Sequence, residues 1–393
     1  MDYTKQPLAF KIKKAARYVR LYGLSRTRIK IEAQRHMIKE YQQLPAVRAR
    51  LPKQHVGIIG CGNFSFGNIA YYLNKNYGTV MAGAMDTHIN RAASLFEKYR
   101  LAYYADDAEK IIADPDIDLI FIASNHASHA EYAVRALQND KSVHIEKPHV
   151  VTQDQLVRLC AAMTDSKGKV SLGFNRPHGR MGQAIKKALD SQSGASMQNW
   201  FIAGHEIPPD HWYFKEEEGG RVLGNLCHWT DFVYQMVPAH DRYPLVINPT
   251  SAEKSDCDIA VTYTFGDGSI AAITFSAKGH TFEGVRERYA AHRGNSLIAL
   301  DDFKRLVIET VDEKRVISPR VRDHGHQEAI RHSYELARDK GSSRPGCSIA
   351  YIWETGELFL KTKEALETNT SITLQAYAES KLSNSELASS QST

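Results

Sequence analysis

The run His55-Val56-Gly57-Ile58-Ile59-Gly60-Cys61-Gly62-Asn63-Phe64-Ser65 constrains this chain more than any other stretch. A buried apolar strand running straight into a glycine turn belongs to few architectures. Gly60 permits the tight turn, Gly62 lets the backbone approach phosphates, and Ser65 stands where a third small residue is needed for helix–strand packing. Asn63 to Leu73 has the composition of a helix whose amino end, with Asn63 and Phe64, faces that turn. Free N–H groups and the positive end of the helix dipole would there hold a pyrophosphate. A second apolar strand, Thr79 to Met85, ends in Asp86, about where an acid meets the adenosine ribose. Asp86 favours NAD over NADP, because a carboxylate about 4 Å from a 2′-phosphate costs roughly 1 to 4 kcal/mol. Arg91 would reverse that preference by pairing with the phosphate, so NADP stays open as the alternative.

From His55 to about Asn175 strand and helix patterns alternate: Leu119 to Ala123, His129 to Leu137, Ser142 to Ile145, Gln153 to Met163 and Val170 to Phe174 continue the series. Such alternation predicts a doubly wound parallel sheet with helices on both faces, an α/β domain over 54–175. Beyond it come β-rich runs (Ala260 to Phe265, Ser269 to Phe275, Ser296 to Ala299, Arg305 to Thr310, Arg315 to Ser318) with Gly and Asp turns between them. They predict an α+β domain over 176–380 with an open, mainly antiparallel sheet, onto which helices Gln327 to Arg338 and Ser348 to Glu367 return. The Ser-rich 381–393 is expected to be a mobile tail.

A basic helical arm over 1–53 precedes the nucleotide fold. Leu8, Ile12, Ala15, Val19 and Tyr22 repeat on one face opposite Lys13, Lys14, Arg17 and Arg20, and a second basic helix is predicted over Thr27 to Tyr41. The favoured reading packs the apolar stripe on the arm's own domain or on a sister subunit; peripheral contact with an anionic membrane is the minor one. A net charge of +5 over 393 residues is too small to argue for nucleic acid. No apolar stretch of about 18 residues exists, and Met1-Asp2-Tyr3-Thr4-Lys5 lacks a signal's apolar run, so a cytoplasmic protein is expected. Five widely spaced cysteines without a C-x-x-C pair read as reduced thiols.

Ligands of open α/β sheets sit outside the carboxyl ends of the strands, and Glu146-Lys147-Pro148 follows the strand Ser142 to Ile145 directly. Lys147 is thereby placed at the reacting end. To act as a base near neutrality it must lose roughly 2 to 3 pKa units, through desolvation or a nearby positive charge such as an oxidised nicotinamide. A second cluster runs from Gly219 to Asp231. Its His228 and Asp231, three apart on a helix, share a face, so that the imidazole exchanges a proton and the carboxylate orients it. With His205 and His211 the pair also suggests a metal, but the spacing matches no zinc pattern and no metal is expected.

Taken jointly, Gly60-Cys61-Gly62, Asp86, Ile122-Ala123-Ser124 with His129, Glu146-Lys147-Pro148, Gly173-Phe174-Asn175-Arg176 and Gly220 to Asp231 resemble the Gfo/Idh/MocA family from His55 to about Glu367. The stretches Ala203 to Trp212, Leu300 to Phe303 and Asp323 to His326 are similar to a subgroup, the C-terminal module of bi-domain oxidoreductases of polysaccharide gene clusters. The resemblance implies that Lys147 and His228 are catalytic and handle the hydroxyl proton while hydride passes between a sugar carbon and nicotinamide. Many members carry an aspartate four residues before that histidine; here the position is Gly224, followed by Asn225, which can hydrogen-bond a hydroxyl but is a poor base. By the same resemblance Ser124, Asn125, His129, Glu146, Lys147 and Asn175 join Gly60, Gly62, Asn63, Phe64, Asp86 and Arg91 at the cofactor; Arg176, His211 and Trp212, with Asn175, are expected to contact substrate, since an indole suits a sugar face and an arginine a carboxylate or phosphate. An NAD-dependent oxidoreductase for a sugar hydroxyl is expected, with a nucleotide sugar or uronic acid as substrate and a homo-oligomer, dimer or tetramer, as its assembly. Two alternatives stay open: redox-assisted glycoside cleavage with recycled NAD, and a non-catalytic sugar- or dinucleotide-sensing scaffold.

Overall fold

The residues Val56–Ile59 are buried on both faces and form β1, the centre of a sheet in a computed structural model that describes residues 6–205, 207–208, 210–250, 258–279, 284–339 and 346–380. The predicted mobile tail 381–393 and Cys257 lie outside the described residues. Two compact units divide the chain: 1–19, 23–173 and 327–352 make the first, and 20–22, 174–326 and 353–393 the second.

In the first unit β1 is followed by β2 (Met81–Met85), β3 (Tyr103–Ala105), β4 (Leu119–Ile122), β5 (Ser142–Ile145) and β6 (Val170–Leu172), all parallel, in the order 3-2-1-4-5-6. This is the doubly wound order expected of a dinucleotide-binding sheet. Helices α2 (Ala70–Tyr77), α3 (Ile89–Tyr99), α5 (His129–Gln138) and α6 (Gln153–Asp165) supply the crossovers, and a π-helical turn, Ser65–Ile69, leads into α2. Short β3 and α4 (Glu109–Ile112) are additions to the predicted series.

The arm is α1 (Leu8–His36), broken at Gly23, where φ of 81° and ψ of 166° leave the helical region. The second helix therefore ends at His36 rather than Tyr41. Beyond it the backbone tightens into i−3 bonds, and Lys39 and Tyr41 turn aside to share Glu97 of α3. Ile29 and Ala33 from the stretch 24–36 are buried in one core with Phe66, Ile69 and Tyr99. The start of the stripe does not pack on its own unit: Leu8 is 72% and Ile12 60% exposed in the single chain.

The second unit is built on a nine-stranded sheet. Its members are β7 (Ser196–His205), β8 (Leu245–Thr250), β9 (Asp258–Thr264), β10 (Ile270–Gly279), β11 (Arg286–Arg293), β12 (Ser296–Asp301), β13 (Arg305–Glu309), β14 (Lys314–Ile317) and β15 (Ile372–Leu374). Among the described residues only β7 and β10 pair parallel; the other pairs are antiparallel, as the composition of the region implied. One face carries Trp200, which meets Phe232 and Tyr289 at ring separations of 5.1 and 4.8 Å. Helices α7 (Arg180–Asp190) and α8 (Cys227–Met236) belong to this unit, and α9 (His326–Arg338) and α10 (Ile349–Thr368) follow the sheet. Among the described residues no helix is long and apolar enough to cross a membrane.

Candidate functional site

Register aligns the strand ends of the first unit. Ile59 pairs with Met85 and Ile122, Ile122 with Ile145, and Ile145 with Leu172, so Gly60, Asp86, Ala123, Glu146 and Gly173 form one row at the carboxyl edge. Ligands of such sheets collect at that edge.

Gly60 adopts φ of +87°, and a Cβ there would stand 2.5 Å from Ser124 N and 2.6 Å from the Ala123 carbonyl. Only glycine fits. At Gly62 a Cβ would meet nothing within 4 Å, which leaves open space beside the amino end of the helical turn. Buried Ser65 donates its hydroxyl to Gly60 O, and Phe66 N donates to Gly62 O at 3.0 Å, so the small third residue closes the turn onto its helix. Asp86 is buried, with Oδ2 accepting from Cys61 N at 2.8 Å and Oδ1 from His88 N at 2.9 Å. A tight glycine turn, an open flank and a fixed carboxylate at the end of β2 fit a dinucleotide. Asn63 and Arg91 are half-buried beside this turn's helix and in the first turn of α3, while Phe64 packs against the core.

At the end of β4, Ser124 shares a hydrogen bond with Ser128, and Asn125 accepts from the same hydroxyl with its side chain exposed. Buried His129 faces Pro148 O at 2.8 Å and Ser124 O at 3.2 Å, so its ring braces the Lys147–Pro148 segment instead of facing outward. Burial holds this imidazole below its ordinary pKa. Within 143–150 only Lys147 escapes full burial, next to the strand-end row. Glu146 points inward: its Oε1 is 3.2 Å from His144 Nε2, whose Nδ1 is 2.8 Å from Ser333 Oγ. With Ser333 donating to Ala329 O, Nδ1–H donates to Ser333, and the Nε2–Oε1 contact then needs a proton on one partner. The carboxyl of Glu146 also fills the space over Gly173, where a Cβ would approach it to 2.6 Å. His144 and Ser333 were absent from the sequence reading, and no local signal marks them.

In the second unit a π-helical turn, Val222–Leu226, opens into α8. Along 221–234 only Asn225 and His228 are half-buried, three apart on one side of an otherwise buried helix. Oδ1 of Asn225 is buried and has no hydrogen-bond partner among the described residues. Phe174 meets His228 edge-on at 6.2 Å. Asp231, fully buried, accepts from Gln235 Nε2, which lies 3.0 and 2.9 Å from its two oxygens, so its carboxylate is engaged by its own helix one turn on.

Two expected ligand contacts are drawn inward. The Arg176 guanidinium is buried against Glu287, Nε lying 3.1 Å from Oε1, and lies over the Trp229 ring at 4.8 Å. Asn175, equally buried, donates to His324 O at 2.5 Å. Both side chains are held by protein groups. Glu287 is a residue the sequence reading missed, an acid on the inward side of a strand. His211 instead caps the turn Trp212–Phe214 through Nδ1, and Trp212 is 37% exposed with its indole 4.5 Å from the Tyr213 ring. The side chain of His205 lies outside the described residues. Among the described residues no three His, Cys, Asp or Glu side chains converge.

Residues 54–174 match the Gfo/Idh/MocA profile, described as an oxidoreductase family with an NAD-binding Rossmann fold. An uncharacterized oxidoreductase, YrbE, of Bacillus subtilis (strain 168) is 26% identical over 223 residues, 55% of this chain and 65% of that protein. The inositol 2-dehydrogenase of Burkholderia cenocepacia (strain HI2424) is 28% identical over 145 residues, 36% of this chain and 43% of that protein. The chain thus spans roughly half the length of these curated relatives, between 43% and 65%. A levoglucosan dehydrogenase solved with NADH and L-sorbose shares the fold, with a TM-score of 0.69 at 14% identity over 82% of this chain and 99% of its own.

Proposed function

From the premise that residues 54–174 are the NAD-binding Rossmann domain of a Gfo/Idh/MocA oxidoreductase, we propose that the chain oxidises or reduces a secondary hydroxyl of a polyhydroxylated ring. The observation that carries this reading is the shared row of Gly60, Asp86 and Glu146, with Lys147 next to it, at one sheet edge. The names of the inositol dehydrogenase relative and the levoglucosan dehydrogenase neighbour support a sugar or cyclitol. A nucleotide sugar or uronic acid is the finer proposal, with the anion held by a group other than Arg176, which Glu287 already neutralises.

A bound nicotinamide dinucleotide supplies the hydride acceptor or donor. Lys147 holds and releases the proton of the reacting hydroxyl, its segment braced by His129. His228 is the proposed second acid/base, Asn225 binds a hydroxyl through its unpartnered Oδ1, and Trp212 stacks on a sugar face. The proposal includes a homo-oligomer, supported by the exposed Met197, Phe201 and Leu297 on the sheet of the second unit.

The test combines calorimetric NAD binding with NADH fluorescence over a panel of cyclitols, sugars, uronates and nucleotide sugars. Lys147→Ala is expected to weaken NAD binding by only a few-fold while turnover falls by about a hundredfold or more. NAD binding without turnover of any compound overturns the enzyme reading in favour of a sensor. Cleaved glycoside without net NADH overturns it in favour of redox-assisted cleavage.

A further inference from the structure

We infer that the arm α1 carries a docking surface for an anionic lipid bilayer, formed by its first helical stretch and the outward side of its second. The two stretches do not close on each other. Between them lies a groove of about 580 Å³, lined by Phe10, Ile12, Tyr18, Ile31 and Ile38 with Lys14 and Lys30 among them. Positions 27, 30, 31, 34 and 35 of the second stretch, and Ile38 just beyond its end, line this groove, whereas Ile29, Ala33 and His36 are buried on its other side. The nucleotide-binding core takes up the apolar side, while the groove side is mixed, with Ile31 and Ile38 among Thr27, Lys30, Gln34 and Arg35. Leu8, Ile12 and Ile38 are 72%, 60% and 63% exposed.

Charge selects the occupant. Within α1 nine Lys and Arg residues face one acid, Glu32, and that acid is already held by Arg28 at 2.9 Å and by Lys98 of α3. Burial, and then the neighbouring Lys30 ammonium, lower Lys14 to about 8, as expected of like charges gathered around an apolar trough. A second copy pairing through the same arm would set this excess of positive charge against itself, since a two-fold interface repeats one patch on both sides. The chain's total is only +5, so its remaining surface is just slightly acidic and offers weak compensation. A leaflet of acidic lipids matches both features: its phosphates complement the excess of positive charge, and its acyl boundary takes the exposed isoleucines. The helix lies on such a surface; among the described residues no helix is fit to span it.

The experiment floats the full chain with vesicles of phosphatidylcholine alone and of phosphatidylcholine mixed with phosphatidylglycerol. Recovery with the acidic vesicles is expected to exceed that with the neutral ones by about tenfold or more and to fall as salt rises. The pair Ile12→Ser/Ile38→Ser and the pair Lys14→Glu/Lys30→Glu should each lower it at least about fivefold. NAD affinity, measured on the same samples, should stay unchanged and report an intact fold. Absence of flotation on acidic vesicles, or flotation that neither pair of substitutions weakens, overturns the inference. A mass that halves in those variants, without flotation of the parent, overturns it too and assigns the surface to a second copy.

Discussion

The Nε2 of His36, the last residue of α1, lies 2.6 Å from the carbonyl oxygen of Cys61, the middle residue of the Gly60-Cys61-Gly62 turn. A carbonyl only accepts, so the ring carries its proton on Nε2. Its face stacks on Phe66 at 4.3 Å, and burial keeps it below the usual histidine pKa. The arm thus braces the turn from behind.

His36→Ala removes this donor and a buried ring, and should cost about 2 to 4 kcal/mol of stability. NAD affinity is expected to fall by roughly tenfold, the equivalent of about one lost hydrogen bond that holds the turn. Chemical denaturation and calorimetric titration check both. His36→Gln, which restores a donor without the ring, should recover affinity better than stability.

Gly60 and Gly62 should separate folding from binding. Alanine at Gly60 forces a Cβ against the Ala123 carbonyl at an unfavourable positive φ, and should destabilise the domain by about 3 kcal/mol or more. Alanine at Gly62 meets no protein atom, so the melting temperature should hold while NAD affinity drops. Thermal melts with and without NAD distinguish the two variants, and equal losses of stability would contradict the assignment.

Removing the carboxylate of Asp86 should relax the preference against NADP. Its two oxygens bond Cys61 N and His88 N, so Asp86→Asn keeps an acceptor at one of them and loses the charge. The ratio of NADP to NAD affinity is expected to rise by about tenfold or more, from a repulsion of roughly 1 to 4 kcal/mol. Competitive titration of both dinucleotides measures it.

Acid should weaken the protein well before its carboxylates titrate. His149 is fully buried, with Nε2 3.0 Å from Ile352 O, and burial pushes its imidazole from 6.5 down to about 4. The folded form refuses a proton that the unfolded chain accepts, so stability is complete above about 6.5 and falls as pH drops toward about 4. This group alone contributes a loss of about 3 kcal/mol across that window. Buried His129 and His324, also lowered, act in the same direction. Urea midpoints near pH 7.5 and pH 5 should differ clearly, and His149→Leu should flatten the dependence.

Much of the first unit was legible because its signals are local. Strands buried on both faces read as unbroken apolar runs, helices as a 3.6-residue period, and the glycine turn and Asp86 follow directly on strand ends. The second unit was harder. β11 turns Glu287 and Arg293 inward, so its alternation is not one of apolar against polar residues, and β7 buries Gln198 beside Trp200. The alternation places no element at 180–190, although Met181, Ile185 and Leu189, four apart and buried, carry the signal of α7.

What the order of residues determined by itself is the nucleotide-binding sheet, its turn, and the place of Asp86 and Lys147 at its edge, since each depends on neighbours within a few positions. What the tertiary structure decided is how the charged and polar side chains are used. Arg176 meets Glu287 across 111 positions, His144 meets Ser333 across 189, and His36 meets Cys61 across 25. An arginine or histidine reads the same in a sequence whether it faces a ligand or a buried partner. Only the folded chain brings the partner within reach, and desolvation then commits the pair.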